Sequence, residues 1–231
     1  MLVLHKVALA GIAGLGSYLA VGGWAVITVV NPPDYLEAGA TYRVEYVVRQ
    51  HGISLLTGLN GSVSVQSGSS PAAAAPVGTP SQAGSTAGHY TATIRVPDGD
   101  RVTLSIRSGF SGNGWGDLTL MSIPVVAKAG AQPMPSDAER GHRLFVAKGC
   151  GMCHVNGDLP EYAAMNRVVN AAPELTGRRL DAAYVRQRLS NPSSLPKIGD
   201  YPERMPDLDL SPTEVTALVA LLSGSSERAA R

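Results

Sequence analysis

Apolar and polar residues alternate along residues 41–49. Tyr42, Val44, Tyr46 and Val48 fall on one face of an extended chain, and Arg43, Glu45 and Arg49 on the other. A period of two is the mark of a strand with one buried face. Residues 89–96 repeat the pattern through Tyr90, Ala92, Ile94 and Val96. The turn Pro97-Asp98-Gly99-Asp100 follows, and then Val102, Leu104 and Ile106 oppose Arg101, Thr103, Ser105 and Arg107. These two runs predict a hairpin with one buried face. Residues 62–66 and 117–126 add shorter strand candidates. Several short strands between polar turns predict a small all-β sandwich over 31–126. Residues 67–88 are rich in Ser, Ala, Pro and Gly without periodicity and predict a long loop.

Residues 127–135 have the Ala, Gly and Pro content of a linker. Beyond them the period changes to that of helices. Ser136 and Glu139 form a capping box, in which each side chain satisfies the other residue's backbone N–H. Gly141 and Phe145 lie on one face of the helix that this box starts. Ser211, Pro212 and Glu214 open a last helix in the same way. Its stripe is Val215, Leu218, Val219 and Leu222, with Gly224 as C-cap. A middle helix over 181–190 ends before Pro192 and turns Tyr184, Val185 and Leu189 to one side. The first and last helices are expected to cross with Gly141 at the contact.

At the N-terminus, residues 7–30 form an uncharged run after Lys6. A helix of that length, at about 1.5 Å per residue, crosses the ~30 Å hydrocarbon core of a bilayer. Lys6 before the run, with Asp34 and Glu37 after it, would leave the N-terminus in the cytoplasm. The run predicts a transmembrane anchor over 1–30. The alternative is a cleaved signal peptide, whose apolar part is shorter; Ala20, Val21 and Gly22 offer small residues for cleavage.

The chain has 231 residues, of which 44% are hydrophobic and 16% charged, enough for buried cores and unlike a disordered chain. A formal net charge of +1 argues against nucleic acid as a partner.

The chemistry is concentrated in Cys150-Gly151-Met152-Cys153-His154. Both cysteines of the chain are in this motif. Two thiols at this spacing can add to the vinyl groups of one porphyrin, and the adjacent imidazole can ligate its iron. A dithiol redox pair would need a strand before the motif, where a helix is predicted. A zinc site would need further ligands, and His5, His51, His89 and His142 are scattered. His51, His89 and Met121 are the available ligands for a copper site, and they form no cluster in sequence.

Residues 136–224 resemble a class I cytochrome c domain. The resemblance is carried by the helix with Gly141 and Phe145, the motif Cys150–His154, Pro173-Glu174-Leu175, Asn191-Pro192, Met205-Pro206 and the Leu-rich last helix. Residues 159–172 match no fixed pattern of that family. The resemblance implies one covalent haem c on Cys150 and Cys153, with His154 as proximal iron ligand. It also implies that the Pro173 carbonyl accepts a hydrogen bond from His154, and that Met205 is the distal ligand. Met134, Met152 and Met165 are less suitably placed than Met205. Arg178 and Arg179 can pair with haem propionates or form a solvated face, and His142 is expected at the surface.

The β-region resembles, without a sharp motif, immunoglobulin-like periplasmic modules, and is expected to be an interaction or spacer module. The whole is expected to be multi-domain: a transmembrane helix (1–30), a β-sandwich (31–126), a linker (127–135) and an all-α cytochrome c fold (136–231). That implies a single-pass protein of the bacterial cytoplasmic membrane with its domains on the periplasmic side. Its function would be electron transfer in a respiratory or photosynthetic chain, as partner or subunit of a membrane redox complex, and not catalysis. A haem-based gas or redox sensor and a structural docking subunit are the alternatives.

Overall fold

The computed structural model describes residues 23–68, 78–110, 116–119, 122–127, 134–159, 171–201 and 204–224. The first strand, β1 (Ala25–Val29), is buried at all five positions. Ala25, Ile27 and Val29 point into the main core, whereas Trp24 and Val26 pack with Met152, Ala171 and Cys153 on the opposite side. A strand covered on both faces carries an uninterrupted apolar run with no period of two.

The expected transmembrane helix over 1–30 is therefore corrected. Its last part is a strand that pairs antiparallel with residues 46–50, and its first part, 1–22, lies outside the described residues. No helix among the described residues is long and apolar enough to cross a membrane. The single-pass placement in a bacterial cytoplasmic membrane, the periplasmic orientation and the membrane partnership rested on that helix and are withdrawn with it.

Two sheets enclose the main core. One contains β1, β3 (Thr41–Gln50), β4 (Ser54–Leu55), β7 (Gln82–Ala83) and β8 (His89–Arg95). The other contains β2 (Leu36–Glu37), β5 (Ser62–Ser67), β6 (Thr79–Pro80), β9 (Arg101–Arg107), β10 (Asp117–Thr119) and β11 (Ile123–Val126). Val44, Tyr46 and Val48 of β3 point inward, as do Tyr90, Ala92 and Ile94 of β8 and Val102, Leu104 and Ile106 of β9. The alternation thus located the inward faces.

It did not locate the partners. β8 pairs with β3, and β9 with β5, so the two runs expected to form a hairpin lie in different sheets. The turn at 97–100 is an arch between the layers, and an arch also turns both apolar faces to one core. The expected loop over 67–88 holds β6 and β7, one on each sheet. Between them Ser81 Oγ accepts a hydrogen bond from the buried Tyr46 hydroxyl at 2.7 Å. Residues 69–77 of that loop lie outside the described residues, as do 128–133 of the linker.

Three α-helices follow among the described residues: α1 (Asp137–Ala147), α2 (Ala182–Ser190) and α3 (Pro212–Ser223). Both capping boxes form, and Asp181 caps α2 by accepting from Tyr184 N at 2.8 Å. α1 crosses α3 at Gly141, where a Cβ would collide with the Ala217 carbonyl.

These helices do not make a separate all-α domain. Val146 and Ala147 at the end of α1 belong to the core of the sheets. Arg140 forms a two-pronged ion pair with Asp34, at 3.2 Å through Nε, and Arg143 donates to the Asp34 carbonyl at 2.8 Å. Lys148, at the C-cap of α1, is 2% exposed and its Nζ lies 2.7 Å from both the Val30 carbonyl and Glu214 Oε1. The expected multi-domain chain, with an anchor, a tethered sandwich and an independent cytochrome c fold, is corrected to a mainly β body on which α1 packs directly, with α3 packed on α1 and α2 on α3.

Candidate functional site

The residues before the motif bring strand and helix into direct contact. Gly149 ends the turn after α1 with φ +74°, a conformation that glycine adopts without Cβ strain. A Cβ there would lie 2.5 Å from Val26 Cγ1 and 2.6 Å from the Ile27 carbonyl oxygen, so β1 passes directly over this position. A single 3₁₀ turn, Cys150–Met152, follows, and His154 N donates to the Cys150 carbonyl at 2.9 Å.

This turn opens onto a cavity of about 290 Å³. Cys150, Cys153, His154, Pro173 and Met205 all line it, so the structure brings the five sequence-selected residues to one space. Phe145, Val185, Leu189 and Leu218 give it an apolar interior. The dimension and lining are those of a site for a mainly apolar ligand.

His154 Nδ1 lies 2.8 Å from the Pro173 carbonyl oxygen. A carbonyl only accepts, so Nδ1 carries the proton and donates. The neutral ring then keeps its lone pair on Nε2, the state required of an imidazole metal ligand. Burial lowers the His154 pKa and outweighs the opposing effect of this hydrogen bond. Burial also pushes the Cys150 thiol up to about 12, with the neighbouring Cys153 adding to it. A reactive dithiol site lowers its thiol pKa instead, so the environment is unlike that of a thioredoxin-type centre.

Of the remaining sequence candidates, Arg178 lines the cavity, while Arg179 packs beside Gly224. Met152 is buried against Trp24 and Val26. Met134 is 82% exposed. Met165 and Met121 lie outside the described residues. His89 faces Glu45 at 3.6 Å, and the His51 ring lies 5.6 Å from that of Trp24. Among the described residues no three or more His, Cys, Asp or Glu side chains gather as a metal site.

Three cavity residues were not expected there from the sequence. Val26 comes from β1 and His51 from the turn after β3. Arg188 of α2 donates through its terminal nitrogens to the carbonyls of Pro192, Leu195 and Pro196, while its buried Nε has no partner among the described residues.

No family model matches the chain, and no curated protein matches it either. Solved structures show local likeness. The Lin-41 filamin domain is 14% identical over 43% of this chain and 91% of its own, with a TM-score of 0.28. Domains 4 and 5 of the S-layer protein SbsC are 16% identical over 44% of each chain, with a TM-score of 0.27. The superoxide reductase (neelaredoxin) from Ignicoccus hospitalis is 11% identical over 48% of this chain and 88% of its own, with a TM-score of 0.30.

Membership of the class I cytochrome c family is corrected. The described residues are mainly β, the end of α1 enters the core of the sheets, and no metal-binding group of three or more such side chains is present among them.

Proposed function

We propose that the chain carries one covalently attached c-type haem and serves as a one-electron carrier rather than an enzyme. The observation behind this reading is the convergence of Cys150, Cys153, His154 and Met205 on one apolar cavity. A porphyrin would itself supply most of the ligands of its iron, leaving few to come from the protein. A three-residue metal cluster is not needed for such a group.

The residues fit the group in kind. Two thiols three apart can form thioether links to the ring. His154 has its tautomer set by Pro173, which suits it to ligate iron. Met205, with a neutral thioether, would be the second residue to hold the iron. The buried Nε of Arg188, without a partner among the described residues, supports a polar group of the ligand on its side of the cavity. When bound, the haem supplies reversible one-electron exchange between ferrous and ferric iron. The chain's own part is to hold the ring, fix the imidazole and keep water away. An apolar shell of this kind tunes a metal centre's potential.

The test is holoprotein made in cells that assemble c-type haem. Acidified acetone should leave the colour on the protein, and Cys150→Ala with Cys153→Ala should release it. Extraction of free haem from the wild-type chain would refute covalent attachment. In Met205→Ala the weak red-region band of Met–ferric ligation should vanish and carbon monoxide should bind. An unchanged spectrum would reduce Met205 to packing.

A further inference from the structure

The sheets touch the cavity at two places. Val26 of β1 and His51, just after β3, both line it. Val26 is 3% exposed. Its Cγ1 lies against Gly149, the residue before Cys150. Its Cγ2 lies against Gly52, where a Cβ would be 3.7 Å from it and 3.8 Å from Pro206 Cγ. One isopropyl group therefore stands between the attachment motif and the turn that packs beside Met205-Pro206. The turn is held in place by His51, whose N–H donates to the Trp24 carbonyl at 3.0 Å and whose ring faces the Trp24 ring. Asp207, two residues beyond Met205, acts electrostatically on Arg49 of β3, although burial is the larger influence there and lowers the arginine's pKa.

We propose that the sheet body is a wall of the haem site, with Val26 as its positioning residue, and that this wall sets the reduction potential by excluding water from that side. The proposal rests on the haem reading above. A spacer module would leave the cavity complete without it. Here the wall is made by Val26 and His51, 124 and 99 positions upstream of Cys150. A dry wall disfavours the additional positive charge of ferric iron and so raises the potential.

The experiment compares reduction potentials of wild-type holoprotein, Val26→Thr, Val26→Ala and Ile106→Val. Val26→Thr keeps the side-chain shape and adds a hydroxyl. Val26→Ala opens space for water beside the motif. Ile106 is a fully buried core residue of the other sheet and does not line the cavity, so Ile106→Val reports destabilisation alone. Both Val26 variants should retain covalent haem and the red-region band. Each should show a severalfold fall in the ferrous-to-ferric ratio at a fixed ambient potential, tenfold being about 59 mV for a one-electron couple. Ile106→Val should lower thermal stability and leave the ratio unchanged. If the Val26 variants lose stability but keep the wild-type ratio, the wall has no role in tuning and the proposal is overturned, with the haem reading intact. If the wild-type chain holds no covalent haem, both readings fall together.

Discussion

Lys148 offers the sharpest test of how the helices are joined to the sheets. Its side chain is 2% exposed and that of its partner Glu214 is 15% exposed. The ammonium satisfies the Val30 carbonyl and one carboxylate oxygen, both at 2.7 Å. The other carboxylate oxygen accepts from Ser211 N at 2.9 Å and Ser211 Oγ at 3.1 Å, closing the cap of α3. Lys148→Met preserves much of the apolar stem and removes the charge. It leaves a nearly buried carboxylate and a carbonyl without their donor.

Breaking a buried pair from one side costs about 3–5 kcal/mol, against about 0.2–1 kcal/mol for an exposed pair. Residual access of water to Glu214 puts the expected loss near the lower bound, about 3 kcal/mol. With a urea m-value of about 1–3 kcal/mol/M, the unfolding midpoint should fall by at least about 1 M. The double variant with Glu214→Gln should be more stable than the sum of the single losses requires, by at least about 1 kcal/mol. A loss under about 1 kcal/mol in Lys148→Met, or a cycle that closes to zero, would show that the ammonium is solvated and that the helices are not pinned here.

Gly149→Ala should be poorly tolerated, because the left-handed backbone costs about 1–2 kcal/mol for a residue with a Cβ and the added atom meets β1; soluble yield and haem content of the holoprotein are the measurements. Asp34→Asn should lower stability by under about 1 kcal/mol, and by less in 1 M salt, since the pair with Arg140 is partly exposed. Alkaline pH should destabilise the sheets through Tyr46, whose pKa burial raises above the ordinary 10.0. The unfolded tyrosine then loses its proton first, so stability falls as pH rises past 10.0, and Tyr46→Phe should flatten that limb of a pH–stability curve.

Sequence alone determined several local features. The inward faces of β3, β8 and β9 followed from a period of two, which records the side of the strand each residue occupies. Both capping boxes and the Gly141 crossing were legible, because caps and close approaches are set by a few neighbouring residues. That Cys150, Cys153 and His154 lie together was legible for the same reason. Strand partners were not, since alternation states a face and not a neighbour, and β8 and β9 went to different sheets. β1 was misread as part of a membrane helix because a strand buried on both faces loses its period and looks like any apolar run. Only the tertiary structure decided what covers its second face: Gly149, Met152 and Cys153, from the far end of the chain. Val26 and His51 entered the cavity by that packing. Contacts between residues distant in sequence arise from the burial of shared apolar surface, which has no local signature.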